Sequence, residues 1–423
     1  MRGALIDVSP LRLDRDYRLL FSGQVVSGIG SQVTRLALPY QVYVLTGSTL
    51  AVGVLTLVQL VPILLFALGA GALADAVDRR RLLIVTQVGL ALSSLALAGL
   101  ALTPAAPLWG IFALAFVHAG LSSVDHPART ASVPRLVPPE RLPAAIALGQ
   151  LNFQVSSVAG PALGGVLIAL VGVAGAYLVD VASFAAAIVA LLAMRPLPPL
   201  ADAVRPGLEA VREGLRFALG HRLLLSTFVI DLDAMIFGMP MSLFPALALD
   251  VFRVGPAGLG LLAAAFGGGA LLGALLSGWV GRVRRRGLAV IRSVAVWGLG
   301  IVGFGVAALV APVAGLLAFL AALACLALAG AADVLSAVFR STILQQETPD
   351  ALRGRVSALH ILVVTGGPRA GDLEAAAAAS VIGPALSALS GGLLCLLGLV
   401  GVVRAFPELA AHESPPTWDP PAT

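Results

Sequence analysis

Lysine is absent from this 423-residue chain, and all 27 basic residues are arginine. That absence reads as genome composition rather than mechanism. Charge is scarce altogether. Only 12% of residues are charged, 59% are hydrophobic, and the mean hydropathy is +0.98. A soluble protein cannot bury that much apolar surface, whereas a polytopic membrane protein need not. Cysteine is nearly missing too. Cys325 and Cys395 each sit in an apolar run, which argues against a disulfide framework or a cysteine metal site. His118, His126 and His360 are too scattered for a metal cluster, so no metal and no cofactor are expected. No Walker sequence is present, which argues against ATP drive from this chain. A membrane enzyme is the rival class. It needs a clustered nucleophile or metal set, and none is found. The first twenty residues are charged rather than apolar, so no cleavable signal peptide is expected.

What the chain does have is a succession of apolar runs long enough to cross a bilayer as helices. About twelve are expected, six between Leu19 and Met194 and six between Leu223 and Val403. Arg2, Arg12, Arg15 and Arg18 precede the first. Arg79 to Arg81, Arg135, Arg141, Arg282 to Arg286, Arg353, Arg355 and Arg404 then fall on that same side, and the opposite side carries essentially only Arg253. The positive-inside rule puts this arginine-rich side, with both termini, in the cytoplasm. A net charge of +5 and a pI near 10.0 suggest nucleic acid at first sight. Arginines that recur between apolar runs, rather than along one face, argue against it.

The sequence divides into residues 1–194, a linker at 195–222, residues 223–404 and a tail at 405–423. Pro196, Pro198, Pro199 and Pro206 break the helix in the linker. Leu208, Val211, Leu215 and Leu219 then line one face of a short helix expected to lie on the membrane surface. The flanking blocks echo one another. Arg129 is followed nine residues later by Pro138, and Arg340 nine later by Pro349. Thr348, Pro349 and Asp350 read as an N-cap, a first-turn proline and a first-turn acid.

One tight turn is more specific than the rest. Gly71-Ala-Leu-Ala-Asp75 leads through Asp78 into Arg79, Arg80 and Arg81, between two apolar runs. Asp75 falls at a helix end, where a carboxylate is unfavourable unless it meets a positive group. Gly71 lets a neighbouring backbone approach. These residues resemble the loop between the second and third helices of the major facilitator superfamily. The resemblance implies an all-α transporter of twelve transmembrane helices in two six-helix halves, in which the motif aspartate helps hold the outward-facing state. The superfamily usually has glycine where Asp78 stands.

A second set of residues narrows the resemblance. Pro127-Ala-Arg129, Pro138 to Leu142, Gly160-Pro161-Ala-Leu-Gly164-Gly165 and Gln345 to Arg355 are similar to the branch of enterobactin-exporter and macrolide-efflux-like proteins. Gly160, Pro161, Gly164 and Gly165 also resemble the glycine-proline motif on the fifth helix of antiporters in the superfamily. Physically, they allow a kink and close helix contact.

Ionisable groups inside apolar runs each need a reason, because one at the bilayer centre costs about 2.5–3.5 kcal/mol on insertion scales. Arg35 lies past the middle of the first run. Asp125 and Arg129, four apart, are placed to pair. Arg340 is read as a structural residue of the cytoplasmic side, like them. Asp231 and Asp233 interrupt the seventh run with no basic residue within a turn. Arg369, Asp372 and Glu374 interrupt the eleventh, after Gly366-Gly367-Pro368. Asp231 is the first choice for proton carrier, with Asp233, Asp372 and Glu374 behind it. A carrier must be desolvated and yet exchange with a cavity, and Asp231 lies roughly 12 Å into its run.

The expected function is a proton-coupled exporter in the inner membrane of a bacterium. The branch resemblance implies a hydrophobic or amphipathic substrate such as a siderophore, macrolide or other drug. A symporter importing a nutrient is the alternative. A monomer is plausible on this reading. Protons, a small molecule and the lipid bilayer are the expected partners.

Overall fold

The computed structural model describes residues 7–67, 73, 76–104, 106–199 and 215–413. Gly71 and Asp75 of the turn motif, and Leu208 and Val211 of the linker helix, lie outside the described residues. Among the described residues every regular element is helical. The long helices are α1 (Arg15–Thr46), α2 (Thr49–Ala67), α3 (Arg79–Ala101), α4 (Leu108–Ser132), α5 (Leu142–Leu192), α6 (Arg222–Phe237), α7 (Gly255–Leu275), α8 (Arg286–Ala314), α9 (Leu316–Glu347), α10 (Asp350–Ile382) and α11 (Pro384–Ala405).

Nine helical stretches among the described residues are long and apolar enough to cross a membrane. Many of their large apolar side chains face outward; Leu65, Leu92, Leu170 and Val189 are all exposed by more than half. An apolar exterior over apolar helices is what a lipid solvent requires, since each helix satisfies its own backbone groups there. The helices α1 and α10 are as long, at 32 and 33 residues, but carry Arg35 in one and Arg369, Asp372 and Glu374 in the other.

Local chemistry explains the breaks. Helix α1 stops where Gly47 adopts φ 61° and returns its N–H to the Tyr43 carbonyl at 2.7 Å, a left-handed cap. The 51-residue α5 is interrupted at Gly172, with φ 72° and ψ 178°. That is where the apolar runs separate in sequence. The seventh run departs from expectation. Helix α6 ends at Phe237, and the chain continues through a 3-10 turn at Met241–Leu243 and a π turn at Leu247–Val251. Pro240, which can neither donate a backbone hydrogen bond nor follow a helical residue comfortably, explains the interruption. The start of α10 also differs by one position. Pro349 stands at its N-cap and no side chain caps it, while the Thr348 hydroxyl is buried without a hydrogen-bond partner.

Two compact units result. The first gathers α1 to α5 with Val254–Ala264; the second gathers α6, α8 to α11 and the rest of α7 from Ala265. In the first, Leu20, Leu83, Ala128, Leu191, Met194 and Leu197 form a buried cluster across four helices and the segment after α5. In the second, Phe228, Leu344, Val356 and Leu359 do the same for α6, α9 and α10. Helices in lipid gain little from hydrophobic exclusion, so close backbone contact matters more. A side chain at Gly330 of α9 would collide with the Phe266 carbonyl of α7, and one at Gly269 of α7 with the Ala327 carbonyl of α9.

Candidate functional site

The arginine-rich end of the first unit is tied together by the described part of the turn motif. Asp78 is the N-cap of α3. One carboxylate oxygen accepts the Arg81 N–H at 3.0 Å, and the other accepts the Leu197 N–H at 3.1 Å. Arg79 donates to the Ala131 carbonyl at 2.6 Å. Arg80 donates to the Leu191 and Leu192 carbonyls at 2.7 and 2.6 Å. These carbonyls lie in the last turns of α4 and α5, where the i+4 donors run out and the macrodipole favours a cation; the Leu191 carbonyl also accepts the Met194 N–H at 3.2 Å. Arg135 adds a bond to the Pro198 carbonyl.

Deeper in the same unit, Asp125 and Arg129 of α4 form an ion pair at 3.0 Å. The other Asp125 oxygen accepts from Thr86 and Gln87 of α3 at 2.8 and 3.0 Å. Helix α5 lies against α1 through its small residues: a Cβ on Gly164 would sit 3.2 Å from the Val33 Cα, and one on Gly160 would overlap Gln32. Gly165 turns to another neighbour. Its Cβ would fall 2.6 Å from the Pro256 carbonyl and 2.8 Å from the Gly260 Cα. Pro161 is accommodated within the helix. Arg35 is exposed on α1.

The second unit holds a buried charge cluster. Asp231 of α6 and Arg340 of α9 form an ion pair at 2.5 Å, with side-chain exposures of 1% and 2%. Asp231 has no basic residue within a turn on its own helix; its partner comes from α9, where Arg340, grouped in the sequence with the structural residues of the cytoplasmic side, is buried against it. Sequence spacing sees only partners within a helix; this pair is made by packing. Asp333, two turns before Arg340 on α9, interacts electrostatically with both members, and so does His360 of α10. Two carboxylates around one guanidinium leave one negative charge uncompensated unless a proton or the imidazole balances it.

The remaining candidates separate. Asp233 points away from Asp231 toward α11, where one of its oxygens occupies space that only the missing side chain of Gly398 leaves free. Its other oxygen is buried with no hydrogen-bond partner. Asp372 of α10 accepts the Ser242 N–H at 2.7 Å, and the Ser242 hydroxyl donates to the Asp372 carbonyl, which anchors the 3-10 turn after α6. Arg369 donates to the Thr365 carbonyl at 2.7 Å. Glu374 is half-buried.

Two acids within helices escaped the sequence reading: the part-buried Asp333 of α9 and, in the first unit, Asp180 of α5. Asp180 is fully buried and accepts from the hydroxyls of Thr34 on α1 and Ser94 on α3, at 2.6 and 2.8 Å. The signal was available. Each is an acid well inside an apolar run with no basic residue one turn away, the same property that singled out Asp231.

Comparison with known proteins places these features in a family. Residues 6–422 match the transmembrane secretion effector family, a division of the major facilitator superfamily. The enterobactin exporter EntS of Citrobacter koseri is 29% identical over 413 residues, 97% of each chain; that of Shigella flexneri is 27% identical over the same share. Among solved structures, a POT family transporter in complex with 5-aminolevulinic acid matches with a TM-score of 0.71 at 13% identity, over 94% of this chain and 97% of the other. A bacterial homologue of the iron transporter ferroportin in its inward-facing state matches with a TM-score of 0.70 at 16% identity, over 95% and 100%. A chain matched almost end to end by that family, and helical and apolar outside among the described residues, belongs to the transmembrane secretion effectors of the major facilitator superfamily.

Proposed function

We propose that this membrane efflux transporter exports a hydrophobic or amphipathic small molecule, of the siderophore, macrolide or drug class, in exchange for protons. On this reading it crosses the bacterial inner membrane twelve times, keeps both termini in the cytoplasm and works by alternating access. The observation that carries the substrate class is the relationship to enterobactin exporters across 97% of the chain. The turn motif, including Asp75, serves as the cytoplasmic gate.

Proton coupling is supported by the Asp231–Arg340 pair. A charge pair withdrawn from water is sustained only while both members stay charged and close. Protonation of Asp231 would release Arg340 to Asp333, its other electrostatic partner. The packing of α6 against α9 would then depend on whether a proton is present, as an antiporter requires: the two states must differ in what they bind.

The test is transport in everted membrane vesicles, with a panel of catecholate siderophores, macrolides and cationic dyes, with and without a pH gradient. Accumulation of at least one compound that collapses with the gradient supports the reading. Gradient-driven release of every transported compound from the vesicle lumen would instead identify an importer.

A further inference from the structure

Asp180 is wholly buried, and its carboxyl meets the hydroxyls of Thr34, Ser94 and Ser183. Oδ2 accepts from Thr34 Oγ1 and Ser94 Oγ. Oδ1 lies 3.2 Å from Ser183 Oγ. That hydroxyl has a single hydrogen and two acceptors within reach, Oδ1 and, closer, the Asp180 backbone carbonyl at 2.7 Å. When the hydrogen goes to the carbonyl, the Oδ1 contact is a hydrogen bond only if Oδ1 carries a proton and donates it to a serine lone pair.

Charge leads to the same place. None of the titratable groups on the surrounding helices hydrogen-bonds the Asp180 carboxyl among the described residues. Arg35, next to Thr34 on α1, is exposed. His118 of α4 meets Ser93 of α3 at 3.0 Å. Tyr177, one turn earlier on α5, donates its hydroxyl to Gln41 at 2.7 Å. Asp125 is held by Arg129. No basic side chain hydrogen-bonds Asp180 among the described residues, so an ionised carboxylate there would be buried without a counter-ion, at a high cost.

The setting is built for this group. Gly30 of α1 leaves the space it fills: a Cβ there would lie 2.6 Å from Asp180 Oδ1 and overlap the Ser183 hydroxyl. The hydroxyls of Thr34 and Ser94 touch the carboxyl at 2.6 and 2.8 Å, a spacing that a proton fits.

We infer that Asp180 is a second proton-binding site of this transporter, holding an exchangeable proton on Oδ1 against Ser183. The site belongs to the first unit and is separate from the Asp231–Arg340 pair of the second. It joins α1, α3 and α5 while protonated, and loss of the proton leaves a bare charge between them. Its part in transport rests on the proton-antiport reading; the presence of the proton does not.

Infrared difference spectroscopy of the purified protein in lipid, between mildly acidic and mildly alkaline buffer, tests it without substrate. The wild type should show a protonated-carboxyl C=O stretch that falls on alkalinisation. Asp180→Asn should lack that component. Ser183→Ala keeps the carboxyl but removes its hydrogen-bond acceptor, so the band should move to higher frequency. A spectrum unchanged by Ser183→Ala overturns the inference, and decides the matter should Asp180→Asn fail to fold. A band that is present but insensitive to pH overturns it as well, because the proton would not exchange. A transporter that shows the band yet moves substrate without a proton gradient would overturn the antiport reading alone.

Discussion

Asp231 and Arg340 meet across α6 and α9 with both side chains almost wholly out of solvent. Removing one partner from such a pair strands the other charge, at a cost of about 3–5 kcal/mol. Asp231→Asn should therefore lower the thermal midpoint in detergent and abolish uphill efflux. Asp231→Asn combined with Arg340→Gln should recover most of the stability and none of the uphill transport. Stability that is unchanged in the single variant would mean that Arg340 is balanced by Asp333 alone.

The glycines of α5 should rank by what their side chains would meet. Gly164→Ala places its Cβ 3.2 Å from the Val33 Cα and 3.3 Å from the end of Leu36, a flexible side chain. Gly165→Ala meets backbone atoms of Pro256 and Gly260 at 2.6 and 2.8 Å, which cannot rotate away. Overpacking of that kind costs about 1–3 kcal/mol. Thermal unfolding of both variants should find Gly165→Ala the less stable; the reverse order would show that the Gly165 contact yields readily.

Asp78 closes α3 and also holds the Leu197 N–H. Asp78→Ala should destabilise by about 1–2 kcal/mol, the usual cost of losing an N-cap. Asp78→Asn keeps a capping oxygen and should stay within a few tenths of a kcal/mol of wild type for the cap itself. Equal midpoints for Asp78→Ala and wild type would mean that other contacts hold this helix start.

Much of the fold was legible because its signals are local. Apolar length marked the helices, and the backbone breaks at positive φ, at Gly47 and Gly172, fall between apolar runs. The pairing of Asp125 with Arg129 was legible because both lie on one helix face. What was not legible depends on packing between helices. Nothing near Asp231 in sequence points to Arg340, 109 residues away. Asp180 itself was legible as an acid inside an apolar run, but its partners were not: Thr34 and Ser94 are ordinary small polar residues that become informative only when three helices bring them to one carboxyl. Asp78, read within the turn motif, caps α3 through the nearby Arg81 N–H; its second bond, from the Leu197 N–H, required knowing where the chain returns.

Topology is open to direct test. Reporter fusions at Gly47, Thr103 and Gly172 should read outside, and fusions at Arg80 and Arg404 inside, if the chain crosses twelve times. A clear reversal at any of these positions would contradict that count.

The most direct measurement for the account as a whole is accumulation of the identified compound in proteoliposomes under an imposed pH gradient, comparing wild type with Asp231→Asn. Wild type should accumulate it against its gradient when the lumen is acidic and lose it when a protonophore is added, whereas Asp231→Asn should only equilibrate it. Accumulation by Asp231→Asn to the wild-type level, with the same dependence on the gradient, would contradict a proton-driven exporter coupled through this pair.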